Sequence, residues 1–347
     1  MPIRNYGVLK GTIVRKTFDR DPQTPHYHLL IGGGTWFHAA INMWSSLDHS
    51  SLLYLIDPEF EHPVTERFEQ LPIGFTDLPS LPNSGAIDYV RGELITRHRF
   101  RVAPMAHEKG GGLGDLLDLY VTRAINQPDA IAYVFGTRWG PNPRETDRIF
   151  HGYPIHPSDG VHDVHMNQGN PDRRGKRDDQ HFHENGPWQD GAIFLHFPEE
   201  EQWVSIFLAF QSQEWETDDL SGKPRTQVDH SGRRKASNRQ HDRVIRIIAA
   251  LVNPIGAAPE DERVTLINTT SDRIDLKGWT ILNADQQETH LHGVIEPRQS
   301  QMIAVSPQAP LGNRGGTITL VDDRGEKIDG VAYTRGQAQR EGRMLTF

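Results

Sequence analysis

Three observations predict a mostly β, α+β chain in two domains. Several segments read as strands, with period-two alternation or short apolar runs bounded by turn residues; only one stretch carries a clear helical period; and a basic, apolar-poor stretch near residue 230 divides the strands into two groups. With 347 residues the chain exceeds the roughly 100–200 residues of a usual single core, which agrees with two domains. Its 36% hydrophobic content, 32 Gly and 23 Pro suit many short strands joined by loops rather than a helical bundle.

The elements follow in order. Residues 6–18 (YGVLKGTIVRKTF) alternate as one long strand or a strand pair, and residues 26–31 (HYHLLI) form a strand ending at Gly32, Gly33 and Gly34. Residues 36–44 (WFHAAINMW) and 52–56 (LLYLI) complete a β-rich opening, after which Pro-rich loops lead to Tyr89. Residues 95–102 alternate so that Arg97, Arg99 and Arg101 line one face of a strand. Leu113, Leu116, Leu117, Tyr120, Val121, Ala124 and Ile125 recur at helical spacing and Pro128 ends the pattern, so residues 113–126 form a helix packed on the sheet. Apolar strands are expected at 130–135, 192–197 and 203–210, with a polar stretch rich in His, Asp and Gly between the first two.

Residues 221–246 hold eight Lys/Arg against two Asp, which reads as an exposed connector. The predicted organisation is a β-rich domain over 1–220, a basic linker over 221–242 and an antiparallel sandwich over 243–347, built from short strands with turns such as Asp323-Arg324-Gly325 between them.

Composition limits the chemistry. Without cysteine there is no disulfide framework, thiolate metal site or cysteine nucleophile, so His, Asp, Glu and Asn are the candidate ligands, and there are 18 His. No leader-like apolar core opens the chain and no apolar run of about 18 residues spans a membrane, so a cytoplasmic protein is expected. A net charge of −9 argues against nucleic-acid binding by global charge and leaves local basic patches open.

The densest polar constellation is residues 160–170 (GVHDVHMNQGN). In an extended chain Asp163, His165 and Asn167 share one face, and His162, Val164 and Met166 the other. A carboxylate, an imidazole and an amide on one wall can hold a divalent ion, or let His act as general base with Asp fixing its tautomer. The alternative is a polar loop with Asx turns at Asn167 and Asn170. A second cluster, Asp178 to Glu184, reads more simply as a solvated loop, whereas Asp190 sits at the mouth of an apolar strand that would position it. His26 and His28 share a strand face, as do His38 and Asn42 on the next strand. In the right register, His28 and His38 or Asn42 would face the His165 cluster. Glycines 110–112 and 114 lead into the helix, but Asp115 opposes an anion there and no Lys-Ser/Thr completes a phosphate loop.

Two resemblances add to this. The succession YGVLKGTIV, TPHYHLLI, GVHDVHMNQGN, WQDGAIFLHF and WVSIFLAFQSQEW over residues 5–224 resembles the bacterial YukJ-like family, which carries no established activity. The succession IIAALVNPIG, VTLINTT, IDLKGWTI, LGNRGGTITLVDDRG and IDGVAY resembles the lamin-tail domain, an Ig-like fold, and implies a non-catalytic positioning module. There Trp279 reads as a core residue and Gly315 and Gly316 as turn-geometry residues.

The resulting expectation is a metal-dependent hydrolase, with a phosphodiester preferred. Asp163, His165 and Asn167 would hold a divalent ion, His162 and Asp190 would be acid-base groups, and Arg97, Arg99 and Arg101 would bind a polyanionic substrate. The rivals are a non-enzymatic binding or scaffold protein, engaging a partner through the sandwich, and a small-molecule ester or amide hydrolase.

Overall fold

A computed structural model describes residues 5–19, 25–43, 52–78, 101–102, 113–139, 147–162, 164, 191–210, 244–256, 261–285, 287–323 and 327–347. The chain is strand-rich, as expected. Its first part contains β1 (Tyr6–Phe18), β2 (His26–Gly32), β3 (Trp36–Asn42), β4 (Leu52–Asp57), α1 (Val64–Gln70), β5 (Gly74–Asp77), β6 (Arg101–Val102), α2 (Leu113–Asn126), β7 (Ile131–Trp139), β8 (Ile155–His162), β9 (Ala192–Phe197) and β10 (Gln202–Phe210). Where the sequence reads as Pro-rich loops after β4, the short helix α1 and strand β5 form instead. A seven-residue helix following a proline offers too few turns for a periodic signal.

β1 is one continuous strand with two sets of partners. Tyr6–Gly11 pair antiparallel with Thr137–Ala132 of β7, while Thr12–Phe18 pair with Gly32–Tyr27 of β2 across a bulge between Ile13 and Arg15. β2 pairs antiparallel with β3, β3 runs parallel to β8, and β8 returns antiparallel to β7. The circuit β1-β2-β3-β8-β7-β1 therefore closes. Counting these as the five barrel strands, the first bonds to the second and fourth, the third and fifth are parallel, and α2 lies between the third and fourth, which is OB-barrel connectivity. Closure demands a close approach at Gly11, where a Cβ would stand 2.4 Å from the Gly32 carbonyl oxygen.

The barrel interior collects Leu9, Ile13, Tyr27, Leu29, Ile31, Phe37, Ala39, Ile41, Val134 and Val161. Helix α2 packs its Leu113, Leu117, Val121 and Ala124 stripe into the same core, as its 3.6-residue period requires. It is pinned by Tyr27, whose hydroxyl donates to Asp118 Oδ1 at 2.8 Å, and by Lys16, whose Nζ lies 2.5 Å from the same oxygen. Beyond β7 the sheet continues through β9, β10 and β4 to β6. Its other face carries a second core of Val8, Phe68, Tyr133, Phe135, Phe194 and Phe207. Because β1 and β7 are covered on both sides there, Tyr6–Gly11 and Ala132–Gly136 are buried without alternation.

Lys10 crosses from the barrel to the end of α1. Its ammonium donates to the carbonyls of Glu69 at 2.8 Å and Leu71 at 2.9 Å, and burial pushes its pKa down. It supplies donors to carbonyls at a helix terminus that lack helical partners.

The remaining strands are β11 (Ile245–Leu251), β12 (Arg263–Asn268), β13 (Ile274–Asp275), β14 (Thr280–Leu282), β15 (Glu288–His290), β16 (Val294–Ile295), β17 (Ser300–Ala304), β18 (Gly315–Val321), β19 (Lys327–Thr334) and β20 (Leu345–Thr346), with helix α3 (Arg335–Ala338). They make two four-stranded antiparallel sheets, β17-β12-β11-β20 and β15-β14-β18-β19, and the pair β13-β16. Ile247, Leu266, Trp279, Ile318 and Tyr333 share one core that includes no residue of the first part. Trp279 is thus a core residue, and Gly315 takes φ +100 where β18 begins.

Replacing Lys10 with Met keeps the stem's packing and removes the three donors. The expected outcome is a loss of about 1–3 kcal/mol, the usual cost of stranded buried polar groups, read as a lower midpoint in urea with unchanged slope.

Candidate functional site

Alternation along β2 and β3 sorts the side chains between the two faces of the barrel wall. Tyr27, Leu29 and Ile31 on β2, and Phe37, Ala39 and Ile41 on β3, enter the core. His26, His28 and His38 therefore project from the outer surface. The register sets His26 opposite Asn42, His28 opposite Ala40 and Leu30 opposite His38, making His28 and His38 diagonal neighbours. The parallel pairing of β3 with β8 sets His38 beside Gly160, and His162 follows two residues later at the end of β8.

These side chains form a connected chain of polar atoms. Asp147 Oδ2 lies 2.6 Å from His38 Nδ1, His38 Nε2 lies 2.8 Å from His28 Nδ1, and His28 Nε2 lies 2.9 Å from Asp19 Oδ2. The same Asp19 oxygen is 3.6 Å from His26 Nδ1, and His26 Nε2 is 3.1 Å from His162 Nε2. His38 and Asp147 are only 4% and 5% exposed, whereas Asp19 is 25% exposed, so the chain runs from a dry end toward a wetter one.

The cover comes from the segment after β7. Asp147 Oδ1 accepts the backbone N–H groups of Ile149 and Phe150, each at 2.8 Å, which holds the turn. Phe150 then lies edge-on to His38 with ring centroids 5.1 Å apart, and Tyr153 meets Trp36 at 5.0 Å. Trp139 approaches both His38 and His162, at 6.4 and 5.9 Å. Gly160 permits this, since a Cβ there would stand 2.5 Å from the Trp139 carbonyl oxygen.

Burial sets the electrostatics. Removal from water lowers His28 to about 4, despite the opposing pull of Asp19. Burial would raise Asp147, but hydrogen bonds from His38 and the backbone outweigh it and bring the carboxyl to about 2. Asn42 Oδ1, on the strand facing His26, is buried without a hydrogen-bond partner among the described residues. It is an acceptor available to a water or a ligand.

Of the residues singled out from sequence, His162 belongs to this cluster together with His26, His28 and His38. Asp163, His165, Asn167, Asp190, Arg97 and Arg99 lie outside the described residues. Of the alternation expected through residues 160–167, only the placement of 160–162 and 164 is described. Val161 and Val164 both enter the core, so His162 and Val164 do not share a face. Arg101 is exposed on β6, at the far edge of the sheet and separated from β7 by β9, β10 and β4. The facing of His28 and His38 or Asn42 toward the His165 cluster lies outside the described residues; what the structure brings together is His28 with His38, and His26 with His162 at the end of β8. Asp19 and Asp147 were not anticipated; the Asx-turn pattern of Asp147 before Ile149 and Phe150 was the available signal. Among the described residues, no group of three His, Asp or Glu side chains has a spacing able to hold a metal ion. No described helix is long and apolar enough to cross a membrane.

Comparison with known proteins places this barrel among relatives. The profile of a family described as uncharacterized conserved protein (DUF2278) matches residues 1–222. The Bacillus subtilis (strain 168) protein described as uncharacterized protein YukJ is 36% identical over 237 residues, covering 67% of this chain and 98% of its own length. No solved structure matches the chain.

The site makes stability depend on pH in a defined direction. His28 has a folded pKa of about 4 against an ordinary 6.5, so its contribution is present above 6.5 and is lost as pH falls toward 4. Asp147, at about 2 against 3.8, adds a second loss below 3.8. Thermal midpoints measured from pH 6.5 down to pH 3 are expected to fall in two stages, and His28→Leu is expected to flatten the upper one.

Proposed function

Since the chain belongs to the DUF2278 family, whose description carries no activity, we propose from the site itself that it is a metal-dependent hydrolase with phosphodiesters as the preferred substrates. The observation supporting this is the approach of the His26 and His162 Nε2 atoms to 3.1 Å, directly before Asp163, His165 and Asn167 in the chain. Two imidazole nitrogens at that distance are joined either by an N–H of one ring donating to the other or by a cation between them.

In this reading Asp163, His165 and Asn167 hold a divalent ion, which would lower the pKa of a bound water. His26 is the general base. Asp19 beside its Nδ1 favours the tautomer that keeps the proton there and makes Nε2, which faces His162 at 3.1 Å, the acceptor. His162 and Asp190 supply further acid-base groups. Arg97, Arg99 and Arg101 would take a polyanionic stretch of substrate. The C-terminal part, read as an Ig-like sandwich of the lamin-tail kind, positions the barrel on a polymeric or surface-bound substrate, or on a protein partner.

A second reading, a binding protein without catalysis, is favoured by the connectivity of the barrel. OB barrels take oligonucleotides and oligosaccharides on the face of their second and third strands, which here carries His26, His28 and His38.

The deciding experiment measures bound metal in the purified full chain, and hydrolysis of bis(4-nitrophenyl) phosphate with Mg, Mn or Zn. Stoichiometric metal lost in Asp163→Ala or His165→Ala, and a rate lowered about 10²-fold or more in His26→Ala, are the expected results. A wild-type chain that binds no metal and cleaves no phosphodiester or ester would sink the hydrolase reading in favour of the binding protein.

A further inference from the structure

Donor and acceptor geometry fixes the number of protons in the buried part of the cluster. Asp147 accepts at both oxygens, from two backbone N–H groups at Oδ1 and from His38 Nδ1 at Oδ2. Its carboxyl, held near 2, is ionised at neutral pH, so His38 Nδ1 carries a proton. At the other end Asp19 accepts the His26 backbone N–H at Oδ1 and faces His28 Nε2 with Oδ2, so His28 Nε2 carries a second proton.

The two remaining ring nitrogens, His28 Nδ1 and His38 Nε2, face each other at 2.8 Å. If both rings were neutral, these nitrogens would present two lone pairs to one another, an arrangement with no donor. A third proton must lie between them.

We propose that His28 and His38 form a buried proton-sharing pair, one imidazole and one imidazolium between the carboxylates of Asp19 and Asp147, that positions His26 through Asp19. Its role in hydrolysis rests on the function proposed above; the pair itself does not. The excess charge of the pair lies between Asp147 Oδ2, 2.6 Å from His38, and Asp19 Oδ2, 2.9 Å from His28. Phe150 and Trp139 cover it, so its compensation comes from the two carboxylates rather than from water. Among the described residues, the other titratable groups near the pair are His26, stacked on His28 at 5.7 Å, and His162 beyond it.

The consequence is mechanical as well as electrostatic. With His28 donating to it, Asp19 Oδ2 is held where it also meets His26 Nδ1, and His26 is left with Nε2 as its acceptor. These residues act through His26 and are positioning residues, with the pair as a rigid brace between β2, β3 and the segment after β7.

The test is nuclear magnetic resonance on the full chain labelled with ¹⁵N at histidine, at pH 7. The expected spectrum contains one exchange-protected ring proton, far downfield, coupled to nitrogens of two different rings. It is lost in His28→Gln and in His38→Gln and kept in His26→Gln. In His38→Gln the Nδ1–H tautomer of His26 gives way to a mixture; Asp147→Asn is the second variant should His38→Gln not fold.

Neutral-imidazole signals from both rings in the wild type would overturn the pair. A shared proton with the His26 tautomer unmoved in the folded variants would overturn the positioning role. A shared proton and a responsive tautomer in a chain that cleaves no phosphodiester would uphold this inference and remove only the hydrolase reading.

Discussion

Closure of the barrel through β1 is the constraint on which the rest of the first ten strands depends. One strand bonds to β7 with its first half and to β2 with its second, and the change of partner occurs where Gly11 lets two backbones approach. Without that closure β2 and β3 would form a hairpin with a solvated back. With it, their even and odd residues are divided between a dry interior and an outer wall, and β8 is drawn in parallel beside β3. The histidines of three strands then meet on the wall because their neighbours are committed to the core.

The cluster shows how a barrel can hold acid-base groups away from water without leaving them unsatisfied. Each nitrogen of His28 and His38 has a partner, each end of the pair meets a carboxylate, and the segment carrying Asp147 provides both the final acceptor and the aromatic cover. Such a network is costly when broken and restricts motion when complete. Its buried base lies at His38 and Asp147, and its other end lies at Asp19 and His162. That gradient from buried to partly exposed holds the rings of His28 and His38 fixed behind the more exposed Asp19.

Two kinds of local rule made much of the architecture legible. Period two or apolar runs marked strands at 6–18, 26–31 and 36–44, the last of which ends at Asn42, and period 3.6 marked the helix 113–126, since these patterns record which side chains leave water. The same rule set His26 with His28, and His38 with Asn42. It failed at α1, which is too short to show a period, and at Val164, which joins Val161 in the core. Asp19 and Asp147 stood in unremarkable polar surroundings, and nothing local connects them.

By itself, then, the sequence determined the element types, the basic divide near residue 230, the absence of cysteine chemistry and the pairing of polar faces within single strands. These depend on the hydrophobicity and conformational preferences of residues a few positions apart. Tertiary structure alone decided that β3 runs beside β8, that His26 meets His162, and that Asp147 closes a chain begun at Asp19. Those contacts join residues distant in sequence, and they are set by register and barrel closure, which depend on the free energy of the whole core and leave no local periodicity to read.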